Sequence, residues 1–234
     1  MTVPRIVLDG ETGSIVSAAL ALATEKPWKD VALRDIAGRA GLTLSQMRAH
    51  AGSKAEVLAL FGRAVDEAVL AARRERVAAD GRRDELFEVV MARFDALEPY
   101  RTALKSISTD AGPDPALIRA AFASQSWMLE AAGIDTSGLE GRMRVAGLVA
   151  IYASVFRTWL DDDDPGLART MAALDRRLRR GERTLQSLDG LGRSVRSAGD
   201  WLSRVVNGAR RDPAPAHETQ EAAAPTGQDG ARSA

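Results

Sequence analysis

Cysteine is absent from the 234 residues, so no disulfide, thiolate metal site or cysteine nucleophile enters the reading, and a reducing cytoplasm is the expected compartment. Histidine is almost as scarce. Only His50 and His217 occur, the second in a Pro/Ala-rich stretch, which leaves no histidine zinc site and no serine-histidine triad to assemble. An excess of charge of one sign is missing as well. The 32 Lys+Arg balance 32 Asp+Glu, which excludes a uniformly basic nucleic-acid binder and leaves room for a local basic face. No uninterrupted apolar run approaches the ~18 residues of a spanning helix, and MTVPRIVLDG lacks the basic-then-apolar layout of a signal peptide. A cytoplasmic protein with no metal, cofactor or catalytic centre is expected, because no nucleophile, base and stabiliser set can be put together.

What is present is helical. Alanine, leucine and arginine dominate and β-branched residues never alternate as strands require, so the fold class is all-α. Apolar spacing predicts a first helix from about Thr12 to Thr24, stopped by Lys26-Pro27. Two short pieces follow, Leu33 to Ala40 and Leu44 to His50, separated by Gly41, Leu42 and Thr43. Glycine there suits the left-handed turn that closes one helix, and Thr43 caps the next, which is the helix-turn-helix pattern. Ser53-Lys54-Ala55-Glu56 has capping-box spacing and opens a helix expected to reach about Ala79. Further helices are expected over Asp84 to Leu97, from Asp114-Pro115 to Gly133, over Leu139 to Leu160, from about Leu167 to Gly181, and as a weaker amphipath over roughly Leu185 to Val206. Residues 208–234 turn to Pro, Ala, Gln, Glu and Thr without period, a composition of disordered chain.

Asp35-Ile36-Ala37, Ala40-Gly41, Met47, His50, Ser53-Lys54 and Val57-Leu58 resemble the amino-terminal DNA-binding domain of the TetR family of transcriptional regulators. The resemblance implies an all-helical homodimer, with a helix-turn-helix domain over 1–52 and a larger effector-binding and dimerisation domain over 53–207. It also implies double-stranded DNA and a small molecule, apolar or lipid, as partners, and a repressor as the regulatory role. The helix starting at Thr43 would present Thr43, Leu44, Ser45, Gln46 and Arg48 to the major groove, with His50, Lys54 and Arg34 as further DNA contacts. Ser45, Arg48 and Ala51 stand where the family has glycine, tyrosine and phenylalanine, and Ala32 where it has a capping serine or threonine. Arg48 can hold phosphate or pair with guanine. Over residues 1–60 seven basic residues meet six acidic ones, a small surplus for a DNA-binding face.

A second resemblance covers short phrases between residues 83 and 180: Arg83 to Phe87, Arg93 to Leu97, Gly133 to Thr136, Leu160 to Asp162 and Leu174 to Arg177. They are similar to the lipid-binding accessory proteins of ubiquinone biosynthesis, which share the TetR fold. That alternative implies bound isoprenoid-like lipid, a docked hydroxylase and a membrane surface met by the carboxy-terminal amphipath. For either reading, Met91, Phe94, Trp127, Met128, Tyr152 and Phe156 are candidate pocket residues, though apolar residues at helical spacing are most often plain core. Arg142, Arg144 and Arg157 are candidates to meet an acidic ligand, or are simply solvated. The run Asp161 to Asp164 before Pro165 reads as a solvated turn whose last member caps the next helix rather than as a metal site.

Overall fold

In a computed structural model of the protein, residues 3–73, 81–181 and 183 are described. Among them the secondary structure is helical throughout: α1 (Gly10–Glu25), α2 (Leu33–Arg39), α3 (Leu44–His50), α4 (Lys54–Arg73), α5 (Arg82–Leu97), α6 (Arg101–Asp110), α7 (Pro115–Ala131), α8 (Gly138–Leu160) and α9 over residues 168–181. A buried apolar cluster runs without a break from Ile15 on α1 through Ile36, Met47 and Val57 to Phe94, Met128, Trp159 and Leu174. Helix α4 joins its two ends. It packs on α1, α5 and α7.

Several boundaries moved for local reasons. Helix α1 starts at Gly10, and Asp9 rather than Thr12 stands at its amino end. Thr12 lies one turn in, where its hydroxyl meets His50. The expected continuation of α4 to Ala79 and the amphipath 185–206 fall outside the described residues, as does the tail 208–234. Helix α6 went unpredicted. Pro99 reads as a stop, yet here it sits in the first turn of a 3-10 segment, Glu98–Tyr100, that leads directly into α6, a position where a proline lacks nothing it would have donated. The Ser/Thr-rich sequence of α6 has little helix propensity. Burial of Ala103, Leu104 and Ile107 holds it.

Helix α8 differs most from expectation. Met143, Ala146, Val149, Ala150, Ala153, Phe156 and Leu160 were expected to form its buried stripe. Of these Leu160 is buried and Val149 and Phe156 are half-buried against the core, while Met143, Ala146, Ala150 and Ala153 are exposed along with Gly147; the rest of the buried row is Gly141, Val145, Leu148, Val155 and Trp159. The helix is apolar on two faces, and periodicity cannot say which of two apolar faces meets the rest of the chain. By length and by a mean hydropathy of 1.2 over its most apolar window it would suffice to cross a membrane, with 28% of that window buried.

Candidate nucleic-acid interface and the buried core behind it

The turn between α2 and α3 is built by Gly41, whose φ of +72° is the left-handed conformation that other residues adopt only with strain. Leu42 N–H then closes on the Ala37 carbonyl at 2.9 Å. Thr43 caps α3: its hydroxyl accepts from Gln46 N–H at 3.2 Å, while the Gln46 Oε1 accepts from the Thr43 N–H at 2.9 Å and hydroxyl at 2.8 Å. That is a reciprocal capping box. Ala32 cannot cap α2 with its side chain, and Asp35 supplies the half that remains by accepting from Ala32 N–H at 3.1 Å. A hydrogen bond from Lys26, joined by the Ala32 N–H, holds the Asp35 carboxyl below the usual carboxylate range. Ser53 Oγ accepts from Glu56 N–H at 3.1 Å, and the Glu56 carboxylate reaches the Gly52 N–H at 2.7 Å rather than that of Ser53.

Helix α3 is pinned by Met47, 1% exposed, and by the buried Ala51 behind it. Thr43, Leu44, Ser45, Gln46 and Arg48 form its outward row, with Leu44 58% exposed. The expected DNA contacts divide by environment. Arg48 is exposed and bonded to nothing among the described residues, and Arg34 has an 80% exposed side chain with only a 3.7 Å approach to Asp35. His50 is engaged at both ring nitrogens, 3.1 Å from the Thr12 hydroxyl and 2.9 Å from a Glu11 carboxylate oxygen. The tautomer protonated on Nε2 satisfies both neighbours. Lys54 turns inward, donating to the Trp28 carbonyl at 2.7 Å and lying 4.8 Å from the centre of that indole. Burial pushes its ammonium below the ordinary lysine value. Lys26 pairs with Asp35 at 2.7 Å and Arg39 with Glu25 at 2.6 Å, so much of the local positive charge is already spent inside the protein.

An aromatic layer joins α5 and α8. Phe94 of α5 stacks on Tyr152 at 5.2 Å and lies tilted against Trp159 at 5.6 Å, and Phe156 lies 6.1 and 5.5 Å from the same two rings of α8. Met91 and Met128 are buried with the same cluster. Trp127 does not join them. It is 58% exposed while Met128 is 0% exposed, because adjacent residues on a helix point about 100° apart. A cleft of ≈ 260 Å³ runs between Arg83 and Phe87 of α5 and Asp175 and Leu178 of α9, and none of the six expected pocket residues lines it. Of the arginines expected to meet an acidic ligand, Arg142 and Arg157 are exposed, and Arg144 pairs with Glu140 on its own helix.

The acidic run after α8 is shared out among several partners. Asp161 pairs with Lys105 at 2.8 Å. Asp164 accepts from the N–H groups of Gly166 and Ala168 at 3.1 Å each. Asp162 is 0% exposed and accepts from Thr170 N–H at 2.8 Å and its hydroxyl at 2.7 Å. Burial works to raise its carboxyl, and the Thr170 and Asp164 hydrogen bonds outweigh it, so the net direction is down.

Two solved structures superpose on this arrangement. A TetR transcriptional regulator from a Rhodococcus species matches with a TM-score of 0.59 at 19% identity, over 73% of this chain and 94% of that one. A second, from Nitrosomonas europaea, matches with a TM-score of 0.56 at 23% identity, over 74% of this chain and 99% of that one. The fold is that of the TetR regulators. No protein-family model matches the chain. Among curated proteins it is similar to the HTH-type transcriptional activator FasR of Mycolicibacterium smegmatis, 29% identical over 170 residues that make up 69% of this chain and 77% of that protein.

Proposed function

We propose that the chain is a TetR-like DNA-binding transcriptional regulator, acting as a homodimer without catalysis and governed by a small effector. The observation that carries this reading is the outward row of α3, held rigid from behind by Met47 and from its amino end by the Thr43–Gln46 box, with Arg48 left unbonded. An unbonded guanidinium on a preorganised helix is suited to phosphate or to the O6 and N7 of guanine. Thr43, Leu44, Ser45 and Gln46 are proposed to enter the groove beside it, with Arg34 on flanking phosphate. His50 and Lys54 are proposed to act from within, by holding α3 to α1 and α4 to the Trp28 turn.

The division of labour would follow residues 1–52 for DNA and 53–207 for effector and dimer contacts. Supporting the dimer is the exposed face of α8, where Met143, Ala146, Gly147, Ala150 and Ala153 are small or apolar and solvent-facing. A second copy of this helix covers such a face with close backbone approach. The same use accounts for the apolar character that would otherwise suit a membrane span. Acting as a repressor needs only an operator that overlaps a promoter. FasR is by name an activator, and mapping the operator decides the sign.

The test is enrichment of sheared genomic DNA by the purified full chain, repeated with Arg48→Ala at two salt concentrations. A recovered palindrome, lost in the variant, is expected. Enrichment no better than random fragments overturns the reading, and copurified isoprenoid-like lipid would then favour the accessory-factor alternative.

A further inference from the structure

Apolar packing does not explain one arrangement in the core. Arg93 of α5 is the one buried cation among the described residues. Its Nη1 donates to Asp66 of α4 and its Nε donates to the Tyr152 hydroxyl of α8 at 3.1 Å. The Ser124 hydroxyl of α7 donates to the same Asp66 oxygen at 2.8 Å, and Gln125 Nε2 approaches Ser124 Oγ at 3.4 Å. Four helices therefore meet on one ion pair. A pair this deep is a poor way to gain stability, since apolar side chains of similar volume hold helices together as well or better. The polar inventory is also incomplete. Among the described residues, Gln125 Oε1 and Trp159 Nε1 are buried with no partner, and Trp159 lies in the aromatic layer that Tyr152 joins to Arg93. Buried polar atoms without partners in a native core call for an explanation.

We propose that Arg93 is the acid-recognition residue of the effector site, and that the effector is a small carboxylate on an apolar or aromatic body which takes the guanidinium from Asp66 and so unlatches α4. The proposal rests on the regulator reading and gives the effector its chemistry. A guanidinium donates to a carboxylate bidentately. Trp159 Nε1 is a donor that a carboxylate oxygen would satisfy, and the half-buried Tyr152 and Phe156 present aromatic surface to the body of the ligand. The site is closed: the side chains of Arg93 and Asp66 are 8% and 10% exposed. Two carboxylates at one guanidinium repel each other, so ligand and Asp66 exclude one another. That exclusion supplies the unequal affinity for two states without which no ligand shifts an equilibrium. Helix α4 begins four residues after α3 ends, so a displacement of Asp66 is carried toward the recognition helix.

The experiment is titration calorimetry on the full chain with benzoate, phenylacetate and cyclohexanecarboxylate, each against its neutral amide. Carboxylates should bind and amides should not. Asp66→Asn removes the competitor and should tighten carboxylate binding on the order of tenfold, the worth of about one charge-assisted hydrogen bond. Arg93→Gln should abolish it, and Asp66→Asn/Arg93→Gln, which keeps a neutral hydrogen-bonded pair, should stay folded by circular dichroism and remain unable to bind. A purely structural pair would make Asp66→Asn weaker or unchanged. Equal binding of acid and amide, an Asp66→Asn variant no tighter than wild type, or no carboxylate binding to either protein overturns the proposal. DNA separates the two claims. Operator binding that ignores carboxylates sinks the acid site and leaves the regulator, whereas Arg93-dependent carboxylate binding with no operator found leaves the site and sinks the regulator.

Discussion

Arg48 and Arg93 are the same residue put to opposite uses. Arg48 is exposed and, among the described residues, bonded to nothing, on a helix whose own cap and core contacts keep it in place. In the interior Arg93 is committed to a carboxylate and a phenol from two other helices. A surface guanidinium costs the fold almost nothing and is available for a partner. A buried one is held by its neighbours, and any partner must first compete with them. Helix α4 carries Val57 and Phe61 into the shared core and Asp66 into the ion pair, so one helix touches both regions.

The contrast breaks most sharply at Asp66. Replacing it with alanine leaves a buried cation unpaired and should cost about 3–5 kcal/mol in urea unfolding. The double substitution Asp66→Leu/Arg93→Met should cost far less, and equal losses in the two proteins would mean that the ion pair itself is not the reason.

Arg48→Ala should do the reverse: an unchanged urea midpoint and about 1–3 kcal/mol lost from operator affinity. A shifted midpoint would place Arg48 in the fold rather than on the DNA. Because so many neighbouring cations are internally paired, Arg34 and Arg48 on two protomers leave few phosphate contacts. The slope of log K against log salt should be roughly −4 or shallower, and a much steeper slope would show that other cations reach the DNA.

At the cap, Thr43→Ala should destabilise by about 1 kcal/mol and weaken DNA binding along with it, since the same box that starts the helix aims its first turn. Weakened folding with intact operator affinity would separate capping from recognition.

The smallest expected effect is one of pH. Asp35 and Asp162 have folded values below the ordinary carboxylate value, so their stabilisation is complete above the unfolded value of about 4 and is lost as pH falls through the lower folded values. Acid titration of the unfolding midpoint should therefore decline only below about pH 4, and Asp162→Asn should flatten that decline.

Much of the α2–α3 region was legible because its determinants are local. Gly41, Thr43 and Gln46 lie within six residues, and turn chemistry and capping act over that range. The Ser53–Glu56 spacing was readable for the same reason. The roles of His50 and Lys54 were not, because Thr12, Glu11 and Trp28 stand more than twenty residues away in sequence. Arg93 was hidden more deeply. Arg142, Arg144 and Arg157 stood out as candidates for an acidic ligand because they lie on a long apolar helix, whereas Arg93 sits in a sequence whose pattern gives no sign that a cation is buried.

By itself the chain's sequence determined the helical class, the helix-turn-helix and the outward row of α3, since periodicity, capping and a glycine turn operate between near neighbours. Only the tertiary structure decided which face of α8 is inside, that α6 is a helix, and that Arg93, Asp66, Ser124 and Tyr152 share one point. These follow from packing between residues up to 86 positions apart, where burial outweighs local propensity and no spacing rule reaches.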